Sequence, residues 1–258
     1  MNNPNEIKAL VNLLDDPDDF IFEDVRSKLL VLGTEVIPYL EDFWKNNNLD
    51  EIAFNKVDFL IKEINFNVIF KELKSWEDAA NQDLFEGVLI INKYQNPSVD
   101  KDLIINLLNK IKQDIWLEIS NNLTSFEKIN IINKILFEEY GFSGNKENYH
   151  SPHNSFLSSV LETKKGNPLS LSIVYLLVTQ ELGLPINGVN LPNHFVVCYL
   201  DEEKTNFHLP NEEEDVLVYI NPFSNGKMFN HEEIDRFLFQ LNAQSKKEYY
   251  IPCSNKAI

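Results

Sequence analysis

The stretch Gly166–Pro185, GNPLSLSIVYLLVTQELGLP, constrains the fold of this chain more than any other. Asn167 is an N-cap residue, Pro168 suits the first helical position, and Gly183 can end the helix. Between these signals almost every face is apolar, so the helix must be buried all round rather than along one stripe. Its first turn still has N–H groups without intrahelical partners and the positive end of the helix dipole. What lies at that end is the functional question.

The segments around this helix fall into two regimes. Residues 4 to about 65 read as short helices. Asn3–Pro4 opens the first, with Ile7, Leu10, Val11 and Leu14 on one face. The run Asp15-Asp16-Pro17-Asp18-Asp19 makes a turn, Val25 to Leu32 carry a second helix closed by Gly33, and Thr34 caps a third. Paired short helices of this kind are HEAT-like, although no second copy at a fixed period is visible. Residues 66–258 then form the second region. A long helix is predicted from Ser98 or Val99 toward Ser120, and Thr124-Ser125-Phe126-Glu127 is a capping box for a helix ending at Gly141. After the opening helix the period changes to two. Gly188–Leu191, His194–Leu200, Asn206–Leu209 and Val216–Ile220 read as strands, and the acidic run Asn211–Asp215 as a loop between the last two. His231–Leu241 is helical again. The fold class is therefore α+β, a helical N-terminal region followed by a buried helix on a small antiparallel sheet.

Charge narrows the function classes. The net charge is −17 and the pI near 4.7. Phosphate backbones and anionic membrane surfaces repel such a chain, so neither nucleic acid nor membrane is an expected partner. Two scattered cysteines form neither a disulfide framework nor a zinc motif. No basic-then-apolar leader opens the sequence and no apolar run is long enough to span a bilayer, which points to the cytoplasm. No glycine-rich phosphate loop follows a strand, and no cofactor is called for.

Few residues carry chemistry. His194, in Pro192-Asn193-His194-Phe195, starts a strand. Alternation places His194, Val196, Cys198 and Leu200 on one face, expected to be the face against the buried helix. A histidine there is either a general base or a satisfied core residue. Cys198 lies four residues along the same strand, about 13 Å away, and cannot pair with it. Asn221, before Pro222, is a turn residue or an orienting partner for an imidazole. Ser170 and Ser172 sit in the first turns of the helix, where serine usually bonds the backbone. His150 and His153 have a spacing seen in metal sites but no third ligand nearby, so no metal is expected.

The residues NKILFEEYGFSGN, then NSFLSSVLETKKGNPLSLSIVYLLVTQELGLPINGVNLPNHFVV, then INPFSNGK resemble the SirB-type proteins, a transglutaminase-like family. The resemblance implies a papain-like or transglutaminase-like core. In active members of that superfamily a Cys begins the central helix, a His lies on the next strand and an Asp on the strand after it. Those positions fall on Pro168, His194 and Asn221. Pro168 offers no nucleophile, a feature the SirB-type family shares. Asn221 departs from the family's usual Asp and gives no charge to offset an imidazolium. PNHF stands where PGHF is usual, and an expected Arg is replaced by Cys198 or Tyr199.

The resemblance therefore implies a pseudoenzyme used as a protein-binding or regulatory module, with the helical N-terminal part as its partner surface. A further possibility is a cleft that keeps a peptide or small ligand without chemistry, lined by His194, Asn221, Asn167 and the Asn154–Ser155 loop. The alternative is a hydrolase or acyl-transferase using Ser170, His194 and Asn221. Members of the family are described as regulators of gene expression, a role that the charge of −17 directs to protein partners. They often continue with further tetratricopeptide-like helices beyond the segment that YYIPCSNKAI resembles.

Overall fold

The computed structural model describes residues 3–16, 18–46, 51–97, 99–205 and 215–258. Pro17, Ser98, the strand predicted over Asn206–Leu209 and residues 211–214 of the acidic run lie outside them. The chain divides into two compact units, Met1–Ala79 and Ala80–Ile258.

The first unit is helical. Its elements are α1 (Pro4–Asn12), α2 (Asp19–Leu32), α3 (Ile37–Asn46) and α4 (Glu51–Glu77). Asn3 and Asp18 cap α1 and α2 through their side chains, and Gly33 ends α2 at φ +69°. Ile7, Val11, Val25, Leu29, Leu40, Val57, Leu60 and Ile64 form one apolar core. Arg26 of α2 grips Glu63 of α4 through two guanidinium nitrogens, Nε at 2.7 Å and Nη2 at 2.5 Å. The boundary expected near residue 65 falls inside α4. No Pro or Gly interrupts residues 51–77, so the helix runs on and the division comes only after it.

The second unit begins with α5 (Leu84–Asn92), α6 (Lys101–Glu118) and α7 (Ser125–Asn133). Asp100 caps α6, and Thr124 with Glu127 closes the capping box expected for α7. The α-helical part of that helix stops at Asn133 rather than continuing to Gly141, and Lys134–Glu139 follow as a π-helical turn. Two short parallel strands, β1 (Ser143–Gly144) and β2 (Lys165–Gly166), flank α8 (Leu157–Thr163). The central helix is α9 (Pro168–Gln180). All of its residues except Leu169 and Gln180 are buried.

After α9 come β3 (Ile186–Leu191), β4 (His194–Leu200), the single turn α10 (Glu202–Thr205), β5 (Val216–Asn221), β6 (Lys227–Phe229) and α11 (His231–Gln240). The four strands form an antiparallel sheet in the order β3-β4-β5-β6. The fourth strand, too short to show alternation, escapes a sequence reading. The sheet is sandwiched. On one face Val197, Tyr199, Val218 and Ile220 join Leu171, Val174 and Val178 of α9. On the other, Val196, Cys198, Leu200 and Tyr219 meet Ile234 and Leu238 of α11.

The alternation along β4 holds, but its facing is the reverse of that expected. The side of Val196 and Leu200, which carries His194, packs on α11, not on α9. Both faces of β4 are apolar because both are covered, so no polar side marks which helix lies where.

Candidate functional site

Three loops meet at the N-terminus of α9. Asn167 caps the helix: its Oδ1 accepts from Ser170 N–H at 2.8 Å, and Ser170 Oγ accepts from Asn167 N–H at 3.0 Å. The Ser170 hydroxyl also lies 3.3 Å from the Asn167 carbonyl. Both of its hydrogen-bonding roles are thus used inside the first turn. Ser172 donates to the Pro168 carbonyl at 2.8 Å, four residues back. Neither serine hydroxyl bonds to His194.

The loop before α8 supports this turn. Asn154 is buried, and its amide donates to the carbonyls of Asn148 and Tyr149 at 2.7 and 3.0 Å while its oxygen accepts from Asn145 at 2.8 Å. Ser155 Oγ accepts from Asn167 Nδ2 at 3.0 Å. Asn154 and Ser155 therefore shape the wall behind Asn167 and do not themselves line the cleft.

The third loop follows β5. Asn221 Oδ1 accepts from Ser224 N–H at 3.2 Å, which turns Nδ2 toward His194 Nε2, also at 3.2 Å. That orientation makes Nε2 the acceptor and leaves the proton of a neutral ring on Nδ1. The imidazole sits between Phe223 and Phe237, with centroids 6.5 and 5.8 Å away. The loop is fastened to the central helix by Asn133. Its amide donates to the Gly226 carbonyl at 2.8 Å, and its oxygen accepts from the buried Tyr175 hydroxyl at 3.2 Å. Gly144 of β1 leaves room for Phe223, since a Cβ there would lie 2.6 Å from the ring.

His194 borders two clefts. One, of about 390 Å³, also has Asn167, Pro168 and Leu169 at its α9 end and Asn190 and Asn193 on the sheet side. The other, of about 260 Å³ and on the α11 face, includes Asn221, Ser224, Lys227 and Phe237. The structure thus brings together Pro168, Asn167 and His194 around one cavity, and His194 with Asn221 by a direct contact. Tyr149, Asn190, Phe223 and Phe237 join them without having been singled out. Of these, only Tyr149 and Phe223 had a signal beside them in the sequence, the His150–His153 pair and the Asn221-Pro222 turn. His150 packs edge-on to Tyr149, and His153 Nδ1 meets Gln95 Nε2 at 2.5 Å. No three of His, Cys, Asp or Glu converge to hold a metal among the described residues. No described helix is long and apolar enough to cross a membrane.

Burial holds the His194 imidazole below its ordinary value of 6.5. The unfolded chain then binds this proton first as pH falls. The stability the neutral ring contributes is complete above that value and is lost below it. His194→Gln is expected to shrink the drop in the urea midpoint between about pH 7.5 and about pH 5.5. A drop of unchanged size would show that the ring is not held neutral by its surroundings.

Cys198 and Cys253 stand apart from this arrangement. Cys198 is wholly buried on β4, facing α11, and burial pushes its thiol far up. Cys253 is pushed up to about 11 for the same reason.

The UPF0162 protein of Xylella fastidiosa is 30% identical over 167 residues, which is 63% of this chain and 55% of that protein. The UPF0162 protein of Vibrio cholerae is 27% identical over 162 residues, 63% of this chain and 56% of its own length. F-box only protein 21 of Mus musculus is 31% identical over 116 residues, 43% of this chain and 17% of its own. The chain spans about half the length of the UPF0162 relatives. No solved structure matches it. The family model for the transglutaminase-like superfamily matches residues 103–258, from within α6 through the sheet and α11 to the last residue. With that match laid over a buried central helix, its sandwiched sheet and the paired His194 and Asn221, the chain belongs to the transglutaminase-like superfamily.

Proposed function

We propose that this is a SirB-type, non-catalytic member of the superfamily, a protein-binding or regulatory module that keeps the cleft of the fold without its nucleophile. The observation that carries the reading is Pro168 at the first position of α9, bordering the same cleft as His194. In a thiol enzyme the nucleophile gains its low pKa at such a helix start, from the dipole and a neighbouring histidine. A proline there has neither a nucleophilic atom nor an N–H. Ser170, two residues along the helix, is tied into the cap.

His194 then serves recognition. With Nε2 engaged by Asn221, Nδ1 is left to meet a ligand group, and among the described residues it has no hydrogen-bond partner. The carboxamide of Asn221 orients a neutral ring but cannot offset a charged one, which suits binding better than proton transfer. The partner is a protein, since the net charge of −17 disfavours nucleic acid and anionic membranes. The HEAT-like helices of the first unit supply a further partner surface.

The His194–Asn221 contact keeps a second reading in play, a hydrolase or acyl-transferase with Ser170 as nucleophile. Purified chain incubated with amide and ester model substrates decides between them. No turnover above buffer is expected. Turnover abolished by His194→Ala and by Ser170→Ala would overturn the binding reading.

A further inference from the structure

The cleft beside Pro168 and His194 lies at the open end of a sheet edge. β3 is the outermost strand, and only one of its sides is paired within the sheet. An unpaired strand edge is a template for another extended chain. In this protein part of that template is already in use. Cys253 N–H donates to the Gly188 carbonyl at 2.8 Å, so Gly188 presents its backbone outward. Asn255 Nδ2 fixes the same segment to the Gln82 carbonyl at 3.0 Å.

The segment continues into the cleft. Ala257 and Ile258 line it together with Asn167, Pro168, Asn190 and His194. The Ile258 side chain packs over Gly188: a Cβ at Gly188 would lie 3.2 Å from Ile258 Cδ1 and 2.6 Å from the Phe195 ring. Glycine at 188 is thus what lets an aliphatic side chain and an aromatic ring share the surface of β3. By the two-residue period of a strand, the next residue to present its backbone outward is Asn190, which is exposed and faces the cleft. No side chain lining the cleft carries a fixed charge. Carboxamides and an imidazole donate and accept in the manner of peptide groups. The volume, about 390 Å³, is of ligand-pocket size.

We infer that this cleft is a groove for an extended, uncharged peptide segment bearing an aliphatic side chain, added along the β3 edge at Asn190, and that residues 251–258 hold part of the groove in cis. The occupant is a peptide because edge-strand backbone supplies the hydrogen bonds and an apolar niche supplies the selectivity, the two parts of β-strand addition. An anionic ligand finds no cation there. This rests on the binding reading of the same cleft and names its ligand class.

The test uses the chain's own segment as probe, with glutamine in place of Lys256 so that it carries no charge: the peptide IPCSNQAI, acetylated and amidated, under reducing conditions. Binding is read by fluorescence anisotropy and located by the His194 ring resonances. The chain lacking residues 254–258, and separately Ile258→Asp in the full chain, are expected to bind the peptide at least about tenfold more tightly than the unchanged chain, since an internal competitor lowers apparent affinity. Asn190→Pro in the shortened chain is expected to abolish binding while leaving the sheet intact, because an outward N–H on an edge strand takes no part in the ladder. Equal affinity for all four proteins, or no binding to Ile258→Asp while it still unfolds cooperatively, overturns the inference. Cleavage of the peptide would overturn the non-catalytic reading and leave the groove standing.

Discussion

Gly226→Ala is expected to destabilise the second unit more than any other single methyl addition. Gly226 has φ +73°, and a Cβ there would lie 2.1 Å from Asn133 Oδ1 and 2.2 Å from its Cγ. The left-handed backbone alone costs a non-glycine residue about 1–2 kcal/mol. The steric term is larger in consequence. Asn133 must move, which breaks its bond to the Gly226 carbonyl and takes the acceptor away from the buried Tyr175 hydroxyl. An unpaired buried polar group costs about 1–3 kcal/mol. The sum is about 2–5 kcal/mol, read as a fall in the urea midpoint. Gly183→Ala is the control, because Gly183 has φ +69° and nothing within 4 Å of the added carbon. It should cost only the backbone part. Equal losses for the two variants would show that Asn133 is not the fastener of the Asn221 loop.

Pro168→Cys is expected to change the reactivity of the chain as strongly as Gly226→Ala changes its stability. The two native thiols are poor nucleophiles, Cys198 through complete burial and Cys253 at about 11. A thiol at the first position of α9 has the helix dipole behind it and shares a cleft with His194. Thiols so placed fall to about 3.5–7.5. Near-neutral iodoacetamide should therefore modify the introduced thiol at least about tenfold faster than Cys253. Adding His194→Ala should remove part of that advantage. Losing the proline's fixed φ costs only about 0.4–1 kcal/mol, so the variant should fold. A thiol no faster than Cys253 would mean that position 168 does not occupy the nucleophile's place, and the pseudoenzyme reading would lose its footing.

Contiguous residues determined a good deal. Asn167, Pro168 and the apolar run to Thr179 specify a capped, wholly buried helix, because caps and burial patterns act over one turn or along one segment. The strands on either side of Pro192-Asn193, the box at Thr124 and the stop at Gly33 are local in the same sense. The placing of Pro168, His194 and Asn221 came from resemblance to a family, not from their spacing. Only the tertiary structure decided the rest. His194 and Asn221 are 27 residues apart in sequence and Asn133 and Gly226 are 93 apart, and their contacts exist because the sheet and α9 bring separate loops to one end. The face of β4 that carries His194 was expected against α9, and packing on α11 reverses it, because both faces are apolar and the pattern does not tell them apart. A serine in a first turn usually bonds the backbone, and whether Ser170 did so or served as a nucleophile was left to the packing. The capping box engages its hydroxyl because Asn167 is the nearer partner, three residues away and held at that distance by the helix itself.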